Sequence, residues 1–294
     1  MRHIRRAMGL ILIAFPALAG IGGAVPARAE EAVDLELVLA VDISGSVDFH
    51  EARLQRDGYV AAMASAEVAA AVTSGVLGRI AVAYVEWAGG EQQSRILDWR
   101  LIDGPAAARA FAEALAAAPQ TRGRYTSIAA AILFALPMFD GNGFAGTRRV
   151  IDMSGDGPNN TGPAVTEARD RAVAAGITIN GLPIVNDRPE PFGGAKLPDL
   201  DAYYRGCVVG GPGAFIVVAR DFPDFARAVR RKLVLEIAGA RARDSAPAGP
   251  VRRAALQLAQ TVRPWGGTGY ARGCDIGERT LRDRLRLFPM DMMP

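Results

Sequence analysis

The sequence predicts an α/β domain built on a doubly wound, mostly parallel sheet. Three observations carry that expectation. Five runs are apolar on nearly every residue: Leu35 to Val41, Arg79 to Ala88, Arg149 to Met153, Ile177 to Val185 and Ala214 to Ala219. Such runs suit parallel strands covered on both faces, because a face left in water would impose alternation. Helical segments lie between the runs, and strands that alternate with helices build crossover units. Residues 30–239, about 210 of them, are also enough to bury one substantial core.

Each element follows in order. Leu35 to Val41 is the first strand, and a helix is expected from Asp48. Ser94 to Leu101 alternates and reads as an edge strand. Pro105 after Gly104 opens an alanine-rich helix to about Ala118, and Ala129–Ala135 forms another. Pro163 after Gly162 opens a helix that Gly176 closes. Proline in the first turn and glycine just past the end is the expected asymmetry of helix termini. Asp221 caps a last helix to about Ile237, in which Phe222, Phe225, Val229, Leu233 and Ile237 recur at helical spacing.

The two ends of the chain differ from this pattern. Arg2, Arg5 and Arg6 precede an apolar stretch from Ala7 to Ala24, and Ala27-Arg28-Ala29 follows. A basic start, a short apolar core and a small-x-small site describe a secretory signal peptide over residues 1–29, with a retained anchor as the alternative. The expected location is therefore periplasmic or secreted. After Gly239 the strand–helix pattern stops. Residues 246–250 read as a linker, 251–260 as a short helix, and the whole of 240–294 as a poorly ordered, Arg-rich extension.

Charge narrows the function classes. The chain has 34 basic and 31 acidic residues, but residues 1–29 hold four arginines and no acid. The remainder carries a net charge of −1, so nothing points to nucleic acid. Basicity is local: residues 240–294 hold ten arginines against five acids. Cys207 and Cys274 are the only cysteines, and in an oxidising compartment such a pair can bond or stay free. With two cysteines and His50 as the sole histidine after residue 29, a structural zinc cluster is excluded.

The chemistry concentrates in three loops. The first strand runs straight into Asp42-Ile43-Ser44-Gly45-Ser46, so three oxygen-bearing side chains alternate at a strand's carboxyl end. Open α/β sheets bind ligands at that end, where the strand order reverses. Thr126 sits at the start of the helix that includes Ala129–Ala135, and Asp156 follows the strand ending near Met153. One carboxylate and two hydroxyls on a tight turn, joined by two more oxygens, suit a hard cation such as Mg²⁺.

Aspartate-x-Ser-x-Ser, then a threonine before a helix, then an aspartate followed by glycine after a later strand, resembles the metal-ion-dependent adhesion site of von Willebrand A-type domains. The resemblance covers about residues 34–238 and implies a Rossmann-like sheet. It implies that Ser44, Ser46 and Thr126 supply hydroxyl oxygens to Mg²⁺ (or Mn²⁺ or Ca²⁺). It implies that Asp42 and Asp156 act largely through bound waters, and that a partner protein's exposed Asp or Glu takes the open position. Residues 56–59, 154–160 and 210–215 further resemble an exported bacterial family of von Willebrand A-type proteins of unassigned function. One departure stands out: many A domains have threonine before the last aspartate, whereas this chain has Gly155.

Plainer roles compete. Ser44, Ser46 or Thr126 could cap the next helix, and Asp156-Gly157 could be a turn. Asp152, inside an apolar strand, reads as a hydrogen-bonded structural acid. Asn159-Asn160-Thr161 matches a glycosylation sequon only as a short coincidence. Trp87 and Trp99 read as packing, and His50 as a solvated helix residue.

Absences weigh against catalysis. Lys196 and Lys232 are the only lysines and neither lies in a P-loop. A Ser-His-Asp triad has only His50 as a candidate base, and no G-x-S-x-G elbow is present. The reading is a metal-dependent protein-binding module that is not an enzyme. The alternatives are a metal-assisted, phosphoesterase-like hydrolase using Asp42 and Asp156, and an envelope-assembly protein whose Arg-rich tail contacts anionic surfaces.

Overall fold

The computed structural model describes residues 29–185, 196–239 and 270–287. The signal peptide expected over residues 1–29, residue 29 apart, the linker expected at 246–250 and the helix expected at 251–260 lie outside them.

A five-stranded sheet forms the centre, built from β2 (Leu35–Asp42), β3 (Ile80–Trp87), β4 (Gln93–Ile102), β6 (Arg149–Gly155) and β7 (Thr178–Pro183), in the order β4-β3-β2-β6-β7. All pairs are parallel except β3 with β4, the antiparallel edge. A separate two-stranded parallel pair joins β1 (Glu31–Val33) to β5 (Phe144–Gly146). Every residue of β2 and β3 is buried, which explains their unbroken apolar runs. Leu35, Leu37 and Leu39 pack on one face, and Val38 and Ala40 on the other, as the two-residue period of a strand requires.

Helices cover both faces. α1 (Phe49–Met63), α2 (Ala66–Thr73), α3 (Pro105–Ala117) and α7 (Phe222–Ala238) pack against the first face through Tyr59, Val68, Phe111 and Phe225. α4 (Ile128–Ala135), α5 (Val165–Ala174) and α6 (Leu200–Tyr203) cover the second. The chain moves from β2 outward to β3 and β4, then returns to the other side of β2 as β6. The strand order therefore reverses between β2 and β6, with Val41 opposite Ser154. A crevice at the carboxyl ends of those two strands is the expected ligand position of such a sheet.

Two expectations need correction. Ala214 to Ala219 forms no continuous strand; it lies parallel to residues 181–185 in two isolated bridges, at Ile216 and Ala219, because Pro183 between them has no N–H to give to the Val217 carbonyl. The Asn180 side chain accepts from the Phe215 N–H at 2.9 Å, at the start of that pairing. The helix expected from Pro163 begins at Val165, because the Pro163 carbonyl instead accepts from Asn159 Nδ2 at 3.2 Å. Within 240–294 the described residues hold α8 (Ile276–Leu287), and the Cys207–Cys274 pair, whose bonding the sequence left open, is a disulfide that joins the start of this segment to the domain.

Asp152 also finds its explanation. It ion-pairs with Lys232, which is fully buried and also binds Glu236 at 2.5 Å one helical turn along α7. Lys232 further lies 5.6 Å from the Phe215 ring centroid. Two carboxylates against one ammonium leave the cluster one charge short. Burial, with Asp152 second, pushes the Glu236 carboxyl up to about 8.

A candidate metal centre at the strand-order reversal

The three sequence loops converge on the crevice between β2 and β6. β2 ends at Asp42, whose Oδ1 accepts from the Ser44 N–H at 2.7 Å and folds the turn back on itself. Ser44 Oγ and Ser46 Oγ lie 3.1 Å apart, and Ser46 Oγ donates to Asp156 Oδ1 at 2.6 Å. Asp42, Ser44, Ser46 and Asp156 thus form one connected set. A Cβ on Gly157 would lie 3.9 Å from Thr126 Oγ1, so the second loop borders the third directly beside Asp156. Gly123 N–H donates to Ile43 O at 2.9 Å and ties the second loop to the first.

The plainer capping roles fall to other residues. Asp48 caps α1, accepting from the Glu51 N–H at 2.8 Å within a full capping box. Ser127 caps α4, accepting from the Ala130 N–H at 3.2 Å. Ser44, Ser46 and Thr126 are not needed as helix caps. Tyr125, immediately before Thr126, has φ of 63°, the sole positive φ of a non-glycine residue among those described. Such strain persists where the surroundings over-determine the backbone, and it gathers at functional sites.

The electrostatics are those of a site short of positive charge. Asp42 is fully buried, and its Oδ2 has no hydrogen-bond partner among the described residues. Burial, with the nearby Asp156 carboxylate second, pushes the Asp42 carboxyl up to about 8. An adjacent divalent cation reverses that pressure, because it is the largest local charge. The residues present therefore fit a hard cation: two carboxylates, three hydroxyls, all oxygen, with one buried carboxylate oxygen lacking a donor.

Gly155 has a steric reason. A Cβ there would sit 2.9 Å from both Asp42 Oδ2 and Tyr204 Oη, closer than real Cβ contacts come. Tyr204 Oη is itself buried with no hydrogen-bond partner among the described residues, and burial holds its phenol protonated far above the usual range. A threonine at 155 would collide with both oxygens.

Sequence reasoning missed four residues here. Lys196 Nζ lies 2.9 Å from Asp156 Oδ2, with a side chain only 12% exposed. The signal was its rarity: of 34 basic residues all but Lys196 and Lys232 are arginine, and both lysines lie against buried carboxylates. Asn160 Oδ1 accepts from the Thr126 N–H at 2.8 Å, and Asn159 Oδ1 from the Ala129 N–H at 3.0 Å. The apparent sequon thus clamps the third loop to the second. Tyr204 gave no signal in the sequence.

Residues 32–241 match the family described as Protein of unknown function (DUF1194). The chain belongs to that family. Its fold is von Willebrand A-like, as solved structures show. It is similar to proximal thread matrix protein 1 from the mussel byssus, in a form with a zinc-occupied MIDAS motif, at 14% identity and a TM-score of 0.52. That match covers 71% of this chain and 49% of the mussel protein. It is also similar to the pilus adhesin SpaC from Lactobacillus rhamnosus GG, at 12% identity and a TM-score of 0.51, covering 71% of this chain and 32% of SpaC. The chain thus spans about half the length of the first and a third of the second. Among curated proteins none matches it.

Proposed function

We propose that this DUF1194 domain is an exported, metal-ion-dependent protein-binding module. The observation that carries the reading is the connected Asp42, Ser44, Ser46 and Asp156 set, bordered by Thr126, with Asp42 Oδ2 buried and lacking a donor. Ser44, Ser46 and Thr126 would offer hydroxyl oxygens to Mg²⁺ or Mn²⁺, and Asp42 and Asp156 would balance its charge. A bound cation would supply an electrophilic position for a partner's Asp or Glu. The domain's own residues do the rest: Ser46 orients Asp156, the Ser44 N–H orients Asp42, and Asn160 holds Thr126 in place.

The zinc-occupied motif named for the mussel protein supports divalent metal use on this fold. The thread and pilus settings of the two neighbours, with the signal-like residues 1–29, support export. No helix among the described residues is long and apolar enough to cross a membrane. We read the site as binding rather than catalytic because His50, the one histidine described, stands exposed on α1.

Thermal melts of residues 30–294 in EDTA, Mg²⁺ and Mn²⁺ test the reading. A cation at 100 times its dissociation constant adds about 2.7 kcal/mol. For a domain of this size that raises the midpoint by about 5–10 °C. The shift is expected to vanish in Asp42→Ala and to shrink in Ser46→Ala. A wild-type chain that melts identically in EDTA and in both metals defeats the proposal. A phosphatase and esterase screen in Mn²⁺ checks the non-catalytic part, and metal-dependent turnover lost in Ser46→Ala would replace it with a hydrolase.

A further inference from the structure

We propose that Glu278, brought in by the disulfide-tethered C-terminal segment, is a positioning residue that clamps Asn159 and thereby locks the second and third loops of the candidate centre together. The segment lies beyond the residues matched by the family, 32–241. The metal arm of the inference rests on the function proposed above; the loop arm does not.

Asn159 is a fully buried hub three residues after Asp156. Its Oδ1 accepts from the Ala129 N–H at the start of α4. Its Nδ2 faces three acceptors: the Thr161 and Pro163 carbonyls, both at 3.2 Å, and Glu278 Oε1 at 2.7 Å. The bond to the carboxylate is the shortest, as charge assistance predicts. Glu278 and the two backbone carbonyls all accept from the NH₂ end of the amide, which leaves its carbonyl end to the Ala129 N–H, and Glu278 is the one of the three acceptors that comes from the C-terminal segment. Asn160, next in the chain, accepts from the Thr126 N–H and donates its own N–H to the Thr126 carbonyl at 2.8 Å. The Glu278 carboxylate therefore adds the shortest bond to a clamp that ties the loop following Asp156 to the one carrying Thr126.

The segment is built to deliver that carboxylate. Cys274, four residues before Glu278, is bonded to Cys207. Tyr203 Oη donates to the Cys274 carbonyl at 3.3 Å while accepting from the Asn159 N–H at 3.1 Å. Gly277 sits so close to the hub that a Cβ would lie 2.0 Å from the Asn159 carbonyl oxygen, so no other residue fits. Surface packing alone would not require a carboxylate aimed at a buried amide, nor a glycine beside it.

The experiment uses the chain from residue 30 to 294 as wild type, Glu278→Ala, Glu278→Gln and the Cys207→Ser/Cys274→Ser pair. Amide hydrogen exchange is measured in EDTA and Mn²⁺ binding by calorimetry. Glu278→Ala is expected to speed exchange at Thr126 and Ala129 by about tenfold or more, leaving β2 and β3 amides as they were. Its Mn²⁺ affinity is expected to fall by a similar factor. Glu278→Gln keeps a carbonyl oxygen for Asn159 and restores most of both. The cysteine pair variant is expected to follow Glu278→Ala. Unchanged exchange at Thr126 and Ala129, or a uniform rise across the whole sheet, overturns the inference. A wild-type chain silent to Mn²⁺ defeats the proposed function instead, and the exchange pattern still decides the role of Glu278.

Discussion

Gly155→Ala isolates the steric logic of the site. The added methyl carbon would lie 2.9 Å from Asp42 Oδ2, 2.9 Å from Tyr204 Oη and 3.3 Å from Asp42 Cβ. None of these is the loose end of a long side chain, because Asp42 and Tyr204 are both buried. Overpacking of this kind costs about 1–3 kcal/mol. Reduced freedom of the unfolded chain returns about 0.4–1 kcal/mol when glycine becomes alanine. The net expectation is a loss of about 1–2 kcal/mol, which for a domain of this size lowers the melting midpoint by roughly 2–8 °C. Asp42 Oδ2 must move, so the metal-dependent rise in the melt is expected to shrink as well. Gly157→Ala is the control, since its Cβ would meet only Thr126 Oγ1, at an ordinary 3.9 Å. Melts in EDTA and in Mn²⁺ read both effects. Gly155→Ala behaving as wild type in both conditions, or Gly157→Ala proving equally damaging, refutes the argument.

Three other outcomes follow from the charges. Lys196 already neutralises Asp156 from 2.9 Å, so Lys196→Met is expected to tighten Mn²⁺ binding about tenfold, equal to about 1.4 kcal/mol; unchanged or weaker binding in calorimetry counters this. Asp42→Asn removes a buried carboxylate whose ionisation is opposed by burial and by Asp156, so at pH 8 in EDTA it is expected to melt at or above wild type while losing all metal response. Glu236 has its carboxyl raised from 4.5 to about 8, so its contribution to stability is full below about pH 4.5 and is lost as pH rises through about 8. The stability in EDTA is therefore expected to fall between about pH 4.5 and 8, by up to about 1.4 kcal/mol per pH unit for each such group, with the melting midpoint following it. Glu236→Gln should flatten part of that decline, and a slope identical to wild type would exclude the assignment.

Much of the fold was legible because its signals are local. The apolar runs of β2, β3, β6 and β7 are continuous because both faces of the sheet are covered, and the structure buries nearly every residue in them. Asp221 caps α7 because a carboxylate before a periodic apolar run has few other local uses. Where the expectation failed, a distant side chain had intervened. Pro183, remote in the chain, lacks the N–H that would join the two bridges of 214–219 into a strand. α8 carries only a sparse apolar stripe among arginines, and its register depends on a disulfide spanning 67 residues.

By itself, the sequence determined the sheet-and-helix order and the oxygen-rich turn at Asp42-Ile43-Ser44-Gly45-Ser46, because strand period and turn chemistry are set by neighbours within a few residues. It also set Thr126 and Asp156 at the ends of their own elements. Only the tertiary structure decided what surrounds them. It brought Lys196 to Asp156, Tyr204 and Asp42 over Gly155, Lys232 between Asp152 and Glu236, and Glu278 to Asn159. Apart from Lys232 with Glu236, one helical turn away, each of these brings together groups remote in the chain. Burial makes a lone polar group costly, so its partner must come from whichever element packs there, and no local pattern records which one that is.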